Sequence, residues 1–140
     1  MKMEDSVSYA LSRLAVSHRN LIERSLQEIG LHSGQMFVLS ELWKSDGQRQ
    51  IDLAEKLNLS PPTVNKILGG LLENDFATRA RYEDDARSTR IYLTQKGRDI
   101  QTEVGTQWEK LEEETLFGLT DTERLLLLQL LRKMLGDDRA

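Results

Sequence analysis

A mainly α-helical fold carrying one small β-hairpin, α+β in class, is what this sequence predicts, and three observations predict it. Apolar residues recur at helical spacing through most of the 140 residues. Between 50 and 69, apolar and small residues fall where two short crossed helices joined by a tight turn need them. Directly afterwards, two stretches of strand character, 77–82 and 89–93, flank a charged connection at 83–88. The length is that of one domain with a sizeable core, so 1–140 is read as a single unit.

The elements follow in order. Val7, Leu11, Leu14, Leu21, Ile22, Leu26 and Ile29 form the stripe of a long opening helix that Gly30 is placed to stop. A second helix runs from about 33 to 44 with Met36, Phe37, Leu39, Leu42 and Trp43, and ends at Asp46 and Gly47. In the crossed pair, Leu53, Leu57 and Leu59 face inward, and Val64 and Ile67 face back at them. Ala54 sits at the crossing, where a larger side chain would push the helices apart. Asn58 occupies the turn position that needs a left-handed backbone. Ser60 suits the N-cap of the second helix, and Pro61 its first position, where the missing amide hydrogen costs nothing.

In the second strand, Ile91 and Leu93 alternate with Arg90 and Tyr92, giving one buried and one wet face. Thr94 caps a long helix whose stripe is Ile100, Val104, Trp108 and Leu111. Thr120 and Glu123 form a capping box that opens the last helix. That helix holds four consecutive leucines, 125–128, then Leu130, Leu131, Met134 and Leu135. A helix apolar all round must be buried, and the rest of so small a chain cannot cover it. A subunit interface, and therefore a homodimer, is expected. The chain then divides into a winged helix-turn-helix at 32–98 and a helical dimerisation region at 1–30 and 99–140.

Composition narrows the function. Apolar content of 39% with 30% charged residues fits a folded, soluble protein. No apolar run approaches the roughly 20 residues of a membrane helix, and the amino terminus lacks a secretion signal's apolar core, so no membrane partner and a cytoplasmic location are expected. Absence of cysteine excludes disulfides, thiolate zinc and a thiol redox switch, and the two isolated histidines make no metal-binding spacing. No metal and no cofactor are expected. Net charge is −4, but 49–98 carries +2, with +3 inside 78–98, whereas 99–140 carries −5. The positive charge gathers at the hairpin, and phosphate contacts need only a local patch.

A helix-turn-helix places its second helix in the major groove, so sequence-specific binding of double-stranded DNA is the expected function. Ser60, Pro61 and Pro62 open that helix, and Thr63, Asn65 and Lys66 project from its first turn. Thr and Asn can bond to base edges, Asn especially to adenine, while Lys can reach guanine or phosphate. At the hairpin tip Arg87 would enter the minor groove, whose negative potential attracts guanidinium groups. Asp85 holds that arginine or braces the loop, and Arg79, Arg81 and Arg90 flank the DNA backbone or support the wing. His18, Trp43 and Trp108 are read as packing residues first and as the lining of a ligand pocket second. No nucleophile or base with an orienting partner stands in a recognisable motif, so an enzyme is not expected. The alternative class is a winged helix turned to protein binding, against which the basic wing and the polar recognition face argue.

Order and motifs together resemble the multiple antibiotic resistance regulator (MarR) family of bacterial winged-helix repressors over nearly the whole chain. Asp85 and Arg87, set ahead of Ile91, Leu93, Thr94 and Gly97, are similar to that family's wing signature. Residues 60–66 match its recognition-helix start, and Arg79 its strand arginine. The resemblance implies an obligate homodimer with intertwined first and last helices, a palindromic DNA site, and derepression by a small aromatic or otherwise apolar effector. Three features depart from the pattern. Gly69 and Gly70 replace a basic residue and with it a phosphate contact; Asp75 stands where Gly is usual; Ala86 takes a basic or small position at the wing tip.

Overall fold

Residues 1–82 and 88–137 are described by the structure, a computed structural model. A short 3-10 turn at Met3–Asp5 precedes α1 (Val7–Gln27) and α2 (Ser33–Lys44). Then come β1 (Gln48–Arg49), α3 (Gln50–Lys56), α4 (Pro61–Glu73), β2 (Ala77–Arg81), β3 (Thr89–Leu93), α5 (Gln95–Thr115) and α6 (Asp121–Met134). The expected class holds: helices dominate, and the hairpin of β2 and β3 is the wing.

Local chemistry explains the boundaries. Side-chain oxygens of Ser6, Ser60, Thr94 and Thr120 accept amide hydrogens at the starts of α1, α4, α5 and α6. At α6 the box is reciprocal, since Glu123 Oε1 also accepts from the Thr120 amide at 2.9 Å. Four helix ends, those of α1, α3, α4 and α6, share one closing turn; at α6 Gly136 has φ of 75° and the Asp137 amide reaches back to Arg132. Gly30, Asn58 and Asp75 have φ of 76°, 53° and 63°, and the amides of Leu31, Leu59 and Phe76 reach back to Leu26, Ala54 and Leu71. Asp75 thus adopts the left-handed conformation usually left to Gly. α2 begins where Glu23 of α1 accepts the Ser33 amide at 3.0 Å, a bond that fixes the angle between the two helices.

The sheet has three strands in the order β1-β3-β2, all antiparallel, with Gln48 opposite Ile91 and Arg79 opposite Ile91 on the other side. Sequence patterning shows only the hairpin. β1 is two polar residues long, too short for any alternation to appear. Gln48 is nevertheless buried, and its amide is satisfied on both sides. It donates to the carbonyls of Glu41 and Ser45 and accepts from Lys56 Nζ at 2.6 Å, tying β1 to α2 and α3.

The core lies where α2, α3, α4 and the sheet meet, with Leu39, Leu42, Leu53, Val64, Leu68 and Ile91 fully buried. Two glycines permit close approach. A Cβ on Gly97 would stand 2.0 Å from the Phe76 carbonyl oxygen, so the start of α5 can lie against the end of α4 only because that side chain is absent. A Cβ on Gly70 would likewise stand 2.7 Å from Nε2 of the buried Gln35. Its neighbour Gly69 faces open space. Packing against α2 therefore accounts for one of the two mid-helix glycines; nothing in the structure accounts for the other.

Two helices are left incomplete. In α1 only Ile22 and Leu26 are buried, while Val7, Leu11 and Leu14 stay exposed. α6 buries none of its residues; Leu127 and Leu131 are half-covered, and Leu126 is 52% exposed. Arg124 sets the direction of α6. Its guanidinium donates to the carbonyls of Leu116 and Leu119 and to Glu113 at 2.9 Å, clamping the bend after α5.

The two exposed-versus-packed glycines predict opposite outcomes. Gly97→Ala should destabilise by at least about 2 kcal/mol, because backbone must move. Gly69→Ala should stabilise by up to about 1 kcal/mol, since it removes only helix entropy. Urea unfolding at fixed protein concentration distinguishes them.

Candidate nucleic-acid interface

The start of α4 is built by its own sequence. Ser60 is extended and caps the helix, Pro61 and Pro62 take its first two positions, and Val64, Leu68 and Leu71 turn into the core. With those positions fixed inward, Pro62, Thr63, Asn65 and Lys66 emerge on the exposed face. Ser60 has little left to offer a partner. Its Oγ accepts the Thr63 amide and shares a 2.8 Å hydrogen bond with the Thr63 hydroxyl.

Asn65 sits in a network that joins three elements. Its Oδ1 accepts from Gln50 Nε2 at the start of α3 and from Arg79 Nη2 on β2, each at 3.4 Å. Beneath them a cavity of about 320 Å³ opens between α3, α4 and the hairpin, lined by Ile51, Ala54, Pro61 and Arg81 among others. Arg79 is therefore turned toward the recognition helix. Gln50 belongs to this face although its sequence position carries no signal, being one polar residue at the start of a short helix.

Arg90 points elsewhere. Its Nη1 donates to the Gly47 carbonyl at 2.8 Å, so it braces β1 against β3. Across the ladder it faces Arg49, and like charges in such a pair repel. Asp52 offsets this with a two-bonded pair to Arg49, Nε to Oδ2 at 2.9 Å and Nη2 to Oδ1 at 3.0 Å. The Arg49 guanidinium correspondingly holds the Asp52 carboxyl below its ordinary range. Just past the loop-side end of β2, the Tyr82 hydroxyl meets that of Tyr92 on β3 at 2.6 Å. Asp85 and Arg87, the two wing-tip candidates, lie outside the described residues.

The aromatic residues considered for a ligand pocket have packing partners. Trp43 Nε1 donates to the Gly97 carbonyl at 2.9 Å and fastens α2 to the start of α5. Trp108 meets Phe37 edge-on with centroids 6.5 Å apart. His18 is half-buried on α1. No helix among the described residues is long and apolar enough to cross a membrane.

Ser60→Ala should lower stability by about 1 kcal/mol through loss of the cap, and Ser60→Asp should retain it, because a carboxylate accepts the same amide. Chemical unfolding of the three proteins at equal concentration checks this.

Comparison with known proteins agrees with this geometry. Residues 31–89 match the model of the MarR family. A MarR transcriptional regulator from Methanosarcina mazei is similar at 25% identity, with 94% of each chain covered and a TM-score of 0.83. Bordetella bronchiseptica BpsR, whose DNA binding is regulated by 6-hydroxynicotinic acid, shares the fold at 23% identity and a TM-score of 0.84, with 96% of this chain and 97% of that one covered. A MarR-family protein of Mycobacterium tuberculosis in complex with salicylic acid does so at 22% identity and a TM-score of 0.74, covering 96% and 99%.

Proposed function

We propose that this protein is a dimeric repressor that reads a pseudo-palindromic DNA site and is released by a small ligand, a reading supported by the match of residues 31–89 to the MarR family model and by the fold that the chain shares with MarR regulators. Members of the family are transcriptional regulators, not enzymes. The observation that carries the reading is the outward face of α4. Val64 and Leu68 are fully buried, so Thr63, Asn65 and Lys66 are presented together at a helix start that fits the major groove. Ser60, Pro61 and Pro62 shape that start, and the local positive charge of 78–98 supplies phosphate attraction within an acidic chain. In this reading Arg87 would grip the flanking minor groove and Asp85 would hold it or brace the loop, while Arg90 supports the wing through its bond to the Gly47 carbonyl.

Dimerisation is supported by the exposed apolar surface on α1 and α6. Leu126, Leu130 and Met134 recur at intervals of four on one face of α6 and remain about half exposed or more. Residues 1–30 and 99–140 then form the dimer, and 32–98 the reading head. Two heads related by a two-fold axis read half-sites about one helical turn apart. The relatives' aromatic acids support a small aromatic or apolar effector acting without covalent chemistry, in keeping with a chain that has no cysteine. Such an effector shifts the head spacing only as far as it binds one spacing better than the other.

Sedimentation of the unmodified protein at micromolar concentration should show a dimer. Leu126→Asp with Leu130→Asp should give folded monomers, because both side chains are exposed within the chain and become costly only when buried against a partner. A folded monomer for the unmodified protein contradicts the assembly.

Arg87→Ala and Lys66→Ala should each weaken DNA binding and flatten its salt dependence by about one unit per lost contact, or about two per dimer. Titrations at several salt concentrations read this directly. A folded dimer whose affinity and salt slope are unchanged in both variants would put protein binding ahead of DNA binding.

A further inference from the structure

The hydrogen bonds around Asn65 limit which bases it can read. Its side-chain amide has one oxygen with two acceptor positions and one NH2 with two donors. Which of the two ends faces inward is decided by Arg79, because a guanidinium has only donors. The end toward Arg79 Nη2 must be the oxygen, and Gln50 Nε2 approaches the same atom. Both acceptor positions are thereby taken. The NH2 group is left on the exposed face of α4 as a donor without an accompanying acceptor.

We propose that Asn65 is a donor-only specificity residue, held so by Arg79 and Gln50, and that it selects a major-groove acceptor rather than adenine. This rests on the DNA-binding reading above and deepens it. An asparagine recognises adenine by donating to N7 and accepting from the N6 amino group together. With its oxygen already accepting from Arg79 and Gln50, the second bond must displace one of them, and adenine loses its advantage. Guanine, with O6 and N7, and thymine, with O4, offer acceptors that an isolated NH2 can use. Cytosine presents an amino donor and is the worst partner. Arg79 and Gln50 are positioning residues: they act on the base through Asn65.

The test is a titration of the full-length protein against duplexes that carry each of the four bases at every half-site position of a site recovered from random DNA. Comparison with Asn65→Ala marks the position that Asn65 reads. There the unmodified protein should favour guanine or thymine, and Arg79→Ala combined with Gln50→Ala should shift the preference to adenine by about five-fold or more, the lower end of bidentate discrimination. The shift is a ratio within one protein, so a uniform loss of affinity from removing Arg79 does not disturb it. Adenine preferred by the unmodified protein, no position altered by Asn65→Ala, or an unchanged preference in the double variant would each overturn the proposal. Failure of the unmodified protein to enrich any site is a different result. It would remove the DNA-binding reading itself.

Discussion

Everything on the reading face depends on the crossing of α3 over α4. Ala54 is the residue that lets the two axes approach, and Leu53, Val64 and Leu68 fill the space on either side with no exposed surface left. Once those positions are committed inward, helical geometry leaves no choice about the rest. Thr63, Asn65 and Lys66 must point out, and Gln50 must lie beside Asn65. The closing turn at Asn58, with its left-handed backbone, fixes the angle at which α4 leaves α3. On the proposed DNA-reading function, specificity would be a by-product of core packing, displaced by one residue along the helix.

A second constraint acts at the other end of the molecule. The helix-turn-helix and sheet bury most of their apolar residues within one chain, but α1 and α6 do not. Their exposed leucines and valines are surface that a second copy would cover, and stability should accordingly rise with concentration. Side-chain hydrogen bonds tie the junction together. Trp43 fastens α2 to α5 through the Gly97 carbonyl, and Arg124 holds the α5–α6 bend through two carbonyls and a carboxylate. A dimer assembled on α6 would therefore fix the distance between its two reading heads, the quantity that a ligand would have to change.

Much of this is legible in the sequence because it is local. Helix caps at Ser60, Thr94 and Thr120, the left-handed turn at Asn58, and the inward residues of α3 and α4 all follow from spacing or from a single side chain's chemistry. What escapes is made by partners far apart in the chain. β1 is two residues long and exists because Gln48 finds Glu41, Ser45 and Lys56. Arg90 donates to the carbonyl of Gly47, 43 residues earlier, a contact that no local pattern announces. Asn65 can be recognised as outward from its neighbours, but the direction of its amide depends on Arg79, 14 residues later on a strand. Glycine at 70 reads as a weakness in the helix until Gln35 is seen against it.

The most direct test of the central claim is unbiased selection of duplex DNA by the full-length protein at physiological salt. The account predicts enrichment of an inverted repeat whose half-site centres lie about one helical turn apart, the spacing two α4 helices of a two-fold dimer can reach. Enrichment of a single unrepeated element, or of nothing above the random pool, would contradict it.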